Sequence, residues 1–286
     1  MRKLITTILF IGTIFSASAQ TDTIIVNQDT IRLGGFRVIT KEKGKEVDIV
    51  MGRTSKQRKR NENINTNWLI LDAGFNNFID NTNYALAGNS VVNKPGTPLI
   101  DKNAMALNGG KSLNLNIWLF MQRMNLYKHN INLKYGLGVE LNNYQFKNAI
   151  SFSEGGTQPY TNIQTNAPFV FRDSISFAKN KLAADYLTVP FMINFTSDPY
   201  SRRKGISGSI GVSAGYLYSQ RNKQKSSERG KDTNKGDYGL NKFKVAYIAE
   251  LGLGPVRLYG SYSPKSMFEN GLDFRPYTVG VRFSNW

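Results

Sequence analysis

From Ile131 to Asn142 the chain alternates without a break. Ile131, Leu133, Tyr135, Leu137, Val139 and Leu141 fall on one side, and Asn132, Lys134, Gly136, Gly138, Glu140 and Asn142 on the other. A period of two predicts a β-strand with unlike faces. The same pattern recurs in seven other segments. Trp68–Phe78 sets Leu69, Leu71, Ala73 and Phe75 against Asp72, Gly74 and Asn76, and Ser112–Gln122 sets Leu113, Leu115, Ile117, Leu119 and Met121 against Asn114, Asn116, Trp118, Phe120 and Gln122. Further strands are predicted over Tyr186–Phe195, Ile206–Ser219, Phe243–Leu253, Val256–Ser263 and Tyr277–Phe283.

The connections alternate between long and short. The first is about thirty residues, the second is LYKHN, the third approaches forty, and the fourth is TSDPYSRRKG; a long basic segment, a Gly254-Pro255 turn and PKSMFENGLDFR complete the series. Long connections at one end and tight turns at the other describe an up-and-down meander. With an even strand count both termini return to the tight-turn end, the layout of a transmembrane β-barrel with periplasmic turns and outer loops. The fold expected is therefore all-β: an antiparallel up-and-down transmembrane barrel of about eight strands, preceded by a short periplasmic N-terminal segment.

A soluble lipocalin-like barrel would show the same alternation turned inside out. The polar face decides against it, because it consists of Gly, Ser and Asn with a few charges, which suits a narrow interior better than a water-facing exterior. Tyr127, Tyr144, Tyr186, Tyr216, Tyr218 and Tyr277 lie at or near strand ends, where an interfacial aromatic girdle is expected. Arg or Lys facing lipid at mid-bilayer costs about 2–4 kcal/mol. The charges within the strands, Asp72, Lys134, Glu140, Lys244, Glu250, Arg257 and Arg282, are therefore expected to point inward as one network. In so narrow a barrel that network fills the interior. Its functional counterpart is a selective pore or proton relay, since ionisable groups within a membrane protein are candidates for both.

Composition sets the compartment. MRKLITTILFIGTIFSASA has Arg2 and Lys3, an apolar run from Leu4 to Phe15, and Ala17-Ser18-Ala19 ahead of Gln20, the pattern of a secretory signal peptide for Sec export over residues 1–19. The run is too short to span a bilayer as a helix, and Gln20 leaves no lipid-accepting cysteine at the cleavage site. The chain contains no cysteine, so disulfides and thiolate metal sites are excluded. The net charge of +17 less the two charges of Arg2 and Lys3 leaves +15. For an exported chain this points to outer-membrane lipid and lipopolysaccharide phosphates and away from nucleic acid.

WLILDAGFNNF, YLTVPF, the GP turn followed by LYGSYSP, and the terminal YTVGVRFSNW together resemble the small outer-membrane β-barrel proteins of Bacteroidota-type bacteria, the porin-family or PorT-like group, over about Trp68 to Trp286. The resemblance implies insertion into the Gram-negative outer membrane by the outer-membrane assembly machinery, which reads a last strand with alternating apolar residues and a terminal aromatic. The corresponding assembly signal here is Tyr277, Val279, Val281, Phe283 and Trp286. Trp286 is out of phase with the other four unless the strand bulges near Ser284. The resemblance also leaves open a role in a secretion apparatus, as for some relatives.

Residues 20–66 form the N-terminal segment and 67–286 the barrel. The segment alternates around Ile24, Val26, Ile31, Phe36 and Val38, enough for one small hairpin, then becomes the basic run Arg53-Thr54-Ser55-Lys56-Gln57-Arg58-Lys59-Arg60. That run reads either as a solvated linker or as an electrostatic anchor on anionic head groups.

Chemistry is sparsely represented. The single histidine, His129, lies in a short turn, and the loop carboxylates show no spacing that selects acid–base work. There is no histidine cluster, calcium loop or dinucleotide fingerprint. No cofactor, metal or catalytic residue is expected, and a lipid-modifying enzyme is the least favoured reading. The expected role is structural and interactive: a plugged, non-conducting barrel whose outer loops contact envelope partners, with a small-solute porin as the alternative. The best candidate for an envelope protein partner is the middle loop with Phe152, Tyr160, Phe169, Phe171 and Phe177, unless these rings simply pack on one another.

Overall fold

The computed structural model describes the backbone of residues 30–33, 36–40 and 47–50, and residues 63–85, 96–198, 205–253 and 256–284 in full. The chain divides after Arg60 into two units, somewhat earlier than the boundary expected at residue 66. In the first unit, β1 (Thr30–Leu33), β2 (Phe36–Thr40) and β3 (Val47–Val50) form an antiparallel sheet in that order. The expected hairpin is β1–β2, in register Ile31↔Val38, and β3 adds a third strand. Residues 1–19, where a signal peptide is expected, and 51–60, which carry the basic run, lie outside the described residues, as does Trp286.

The second unit is built on eight long antiparallel strands. They are β4 (Ile64–Asp80), β5 (Leu113–Tyr127), β6 (Ile131–Gln145), β11 (Lys179–Thr196), β12 (Ile206–Ser226), β14 (Phe243–Leu253), β15 (Val256–Tyr262) and β16 (Phe274–Phe283). Each pairs with its neighbour in that order; β16 pairs back onto β4, with Arg282 opposite Asp72, and the ring closes. Closure leaves no edge within the ring, which is what a sheet in lipid requires. β7 (Ile150–Ser153) pairs with β10 (Phe169–Arg172), and β8 (Gly156–Thr157) with β9 (Gln164–Thr165), within the middle loop. The loop predicted between the fifth and sixth strands is in part a hairpin: β12 runs on to Ser226, turns, and returns as β13 (Gly230–Lys235).

The faces are those predicted by cost. Phe75, Phe191, Ile210, Val245, Val279 and Phe283 are exposed, while Asp72, Asn76, Asn114, Lys134, Glu140, Asn194, Ser213 and Arg282 are buried. Burial here means the barrel interior, and the exposed apolar belt is the surface that meets hydrocarbon.

Five side chains depart from the predicted faces. In β4, Leu69 adopts φ 53° and both Trp68 and Leu69 are exposed; in β5, Leu119 is an extra residue relative to β6. Beyond these bulges the phase reverses. Trp68 and Phe120 therefore share the outer face, ring centroids 5.9 Å apart, and Met121 turns inward to join Ile70 and Trp118 in a small apolar cluster. Tyr144 and Tyr186, expected in the aromatic girdle, also face inward and are buried, because they occupy even positions on strands whose odd positions face out. Tyr127 remains exposed at the end of β5, while Tyr216 and Tyr218 are exposed in the middle of β12, which runs on to Ser226.

Candidate functional site

Six of the seven predicted interior charges pair with one another. Arg282 on β16 donates from Nε to Asp72 Oδ1 at 2.6 Å and from Nη2 to Oδ2 at 2.7 Å. Its remaining amino group pairs with Glu250 on β14, which also receives the Lys134 ammonium from β6. Lys244 on β14 reaches across to Glu140 on β6. The first cluster joins two basic and two acidic side chains, and the second one of each, so formal charges balance within each. Arg257 lies nearer the tight turns, with Nη1 3.4 Å from Ser207 Oγ.

Asp72 also receives neutral donors. Trp118 Nε1 donates to Asp72 Oδ2 at 2.7 Å and Asn116 Nδ2 to the same oxygen at 3.2 Å. An amide layer continues upward, with Asn76 Nδ2 donating to Asn142 Oδ1, Asn114 Nδ2 to the same acceptor, and Thr278 Oγ1 to Asn76 Oδ1 at 2.6 Å. Buried ions cost several kcal/mol of desolvation each and persist only when geometry and hydrogen bonds compensate. Here β4, β5, β6, β14 and β16 each contribute an ion or an amide to the layer. A cavity of roughly 20 Å³ beside Glu140, Glu250 and Arg282 has room for about one water.

Alternation alone marks no role for Tyr259, yet it organises the centre. Its hydroxyl donates to Asn114 Oδ1, and its ring crosses the paired Gly74 and Gly280 on β4 and β16. A Cβ at Gly280 would lie 2.6 Å from Tyr259 Cε1, and one at Gly74 would lie 2.6 Å from its hydroxyl oxygen. The glycines therefore make the groove in which this ring lies. The Arg282 guanidinium sits 5.5 Å from the Trp118 ring centroid and 5.9 Å from that of Tyr259, within cation–π range of both.

Above the polar layer the mouth is filled by apolar side chains. Ile100 and Met105 come from the first long loop, Ile150, Phe152 and Val170 from the second, Tyr238 and Leu240 from the third, Met267, Phe268 and Leu272 from the fourth, and Tyr144, Tyr186 and Phe274 from the strand tops. Phe78 stacks on Phe274 at 4.1 Å, Phe274 meets Phe268 edge-on at 5.6 Å, and Phe268 lies 6.3 Å from Phe152. Phe152 of the middle loop is therefore packed in the mouth; Phe169, which alternates with Val170 along β10, is buried apart from that cluster, 5.7 Å from Phe171, which is half-buried like Phe177; and Tyr160 is the exposed ring of the five. Tyr160 Oη donates to the Arg172 carbonyl at 2.8 Å.

His129 forms the β5–β6 turn with Lys128; both have positive φ, and Asn130 N–H donates to Tyr127 O at 3.0 Å, the geometry of a two-residue hairpin turn. Among the described residues no group of three or more His, Cys, Asp or Glu could hold a metal ion. Among the same residues no helix is long and apolar enough to cross a membrane. Of the assembly-signal residues described, Val279, Val281 and Phe283 are exposed and Tyr277 is half-buried on the same face.

Comparison with known proteins places this geometry. No curated protein matches the chain. Two solved structures of Ail, the attachment invasion locus protein of Yersinia pestis, align at 11% and 12% identity, each covering 76% of this chain and 98% of theirs with a TM-score of 0.28; one of them is a complex with the heparin analogue sucrose octasulfate. The family model for the outer membrane protein beta-barrel domain matches residues 71–267, from within β4 to the last long loop. That match spans more than half of the chain, and the chain belongs to this outer-membrane β-barrel family.

Proposed function

We propose that this outer-membrane barrel is a closed, non-conducting scaffold whose four long loops form one folded unit for contacting envelope partners. The observation that carries the reading is the double filling of the lumen: paired acidic and basic side chains across its middle and an apolar core shared by all four loops across its mouth. A conducting path would have to break both. The long loops face away from the cell and the tight turns and termini face the periplasm, as in barrels with short periplasmic turns.

The loop core supports the interaction role. Loops that share buried rings hold a fixed surface, and a fixed surface binds without first losing conformational freedom. Tyr160, Ile163 and Leu99 are large apolar side chains exposed on that surface. Membership of the PorT-like group, with its link to a secretion apparatus, rests on the sequence resemblance described above. Catalysis is not part of this reading.

Single-channel recording of the refolded protein in planar bilayers tests the closed state. The expected result is no steady conductance; a sustained open state of hydrated-pore size overturns the proposal. Deleting residues 156–165, followed by pull-down from envelopes of the source bacterium, tests the loop role. Loss of a captured partner with retained heat-modifiability supports it, and unchanged capture counts against it.

A further inference from the structure

On β11 and β12 the outward face changes character above the apolar belt. Leu187, Val189 and Phe191 on β11, and Val212, Tyr216 and Tyr218 on β12, are exposed within the belt. Beyond Tyr218 the outward positions become basic. Lys179 pairs directly with Lys225, which pairs with Lys231; Lys181 pairs with Lys223; and Arg221 pairs with Lys235. Directly paired residues share a face, with Cβ atoms about 5 Å apart, and like charges so placed destabilise a sheet. The three strands thus hold rows of cations on one wall. The one carboxylate on the outward positions of this stretch is Asp185, already paired with Arg221.

With a rise of 3.3 Å per residue and a tilt near 40°, Arg221 stands roughly 8 Å and Lys223 roughly 13 Å above Tyr218. That is the layer of lipid head groups and of the sugars attached to them. We propose that this basic wall is a docking site for the phosphate groups of a phosphorylated glycolipid in the surrounding outer leaflet. The inference deepens the reading above, since it rests on the loops facing outward.

Two features favour a leaflet lipid over a soluble polyanion. The rows lie on the barrel wall, continuous with the lipid-facing surface, and not at the loop tips that a soluble polymer would meet first. The crowding is also met by a single carboxylate on this wall: Asp185 pairs with Arg221, and Lys181 Nζ donates only to a neutral acceptor, the Lys111 carbonyl, at 3.2 Å. A bound phosphate would supply the missing counter-charge.

The test uses the full chain refolded in neutral detergent, with heat-modifiability on gels as the check of folding. Binding is titrated with diphosphorylated lipid A, its dephosphorylated form, inorganic phosphate and a sulfated oligosaccharide. The expected result is at least tenfold preference for the diphosphorylated lipid, loss of that preference in Lys181→Gln/Lys223→Gln, and its retention in the loop control Lys102→Gln/Lys147→Gln. If the double variant does not fold, Lys179→Gln and Lys225→Gln, at exposed positions of the outermost row, each give a smaller loss. Equal binding of both lipid A forms overturns the proposal. So does competition by the sulfated oligosaccharide or inorganic phosphate at equal potency. Absence of heat-modifiability in the unaltered protein would instead overturn the barrel reading itself.

Discussion

Arg282 grips Asp72 with two parallel hydrogen bonds of 2.6 and 2.7 Å across the β16–β4 seam, although 210 residues separate them in the chain. This is the pair at which the last strand meets the first. It couples closure of the ring to assembly of the ion cluster, because the same guanidinium also holds Glu250.

Breaking that pair from one side leaves a buried charge uncompensated. Asp72→Asn or Arg282→Met is each expected to destabilise the folded barrel by about 3–5 kcal/mol. The double variant Asp72→Asn/Arg282→Met should cost clearly less than the sum. Guanidinium unfolding in detergent, followed by tryptophan fluorescence, provides the cycle. Strict additivity would show that the two residues do not act as a unit.

The Tyr259 groove makes a steric prediction. Gly280→Val places a branched side chain where the ring lies, and overpacking of this kind costs about 1–3 kcal/mol. Tyr259→Phe retains the ring and loses only the bond to Asn114, at about 1 kcal/mol. The order of unfolding midpoints should be unaltered protein, Tyr259→Phe, Gly280→Val. A Gly280→Val protein as stable as the original would mean that the ring is free to move elsewhere.

Sidedness has its own test. Val279 is 61% exposed on the outer wall, whereas Thr278, one residue away, is buried in the interior. Val279→Arg is expected to cost about 2–4 kcal/mol in a bilayer if it lies near the midplane. Refolding yield into lipid vesicles should fall accordingly. In a thin detergent micelle the penalty should be smaller, and equal penalties in the two media would argue that Val279 does not face hydrocarbon.

The loop core should respond separately from the barrel. Phe152→Ala removes a buried ring that contacts two loops and is expected to cost about 3–5 kcal/mol locally. Limited proteolysis should then cut the long loops faster, while the heat-modifiable band persists. Simultaneous loss of that band would mean that cap and barrel unfold together.

Much of this was legible in the sequence, and the reason is the pleat. A strand in a closed sheet between lipid and a packed lumen places successive side chains in opposite environments, so alternation reports strand, face and charge position together. The eight segments, the inward course of Asp72, Lys134, Glu140, Lys244, Glu250 and Arg282, and the outward belt were all readable on that basis. Alternation fails wherever the backbone inserts a residue. Met121 changed sides because Leu119 bulges, and Leu69 at φ 53° put Trp68 beside Phe120; neither leucine differs in type from its neighbours.

The tertiary structure alone decided which charges meet and what closes the mouth. Pairing Arg282 with Asp72, or Lys244 with Glu140, depends on ring closure and on registers fixed over a hundred or more residues, for which a linear pattern has no signal. Phe152, Phe268 and Phe274 lack a common period because they come from different loops and a strand, and only the meeting of those loops buries them together. The basic wall is of the same kind: its lysines look like scattered loop charges until β12 and β13 are paired and set them in rows. Local periodicity is a property of one strand, and these contacts are properties of the closed sheet.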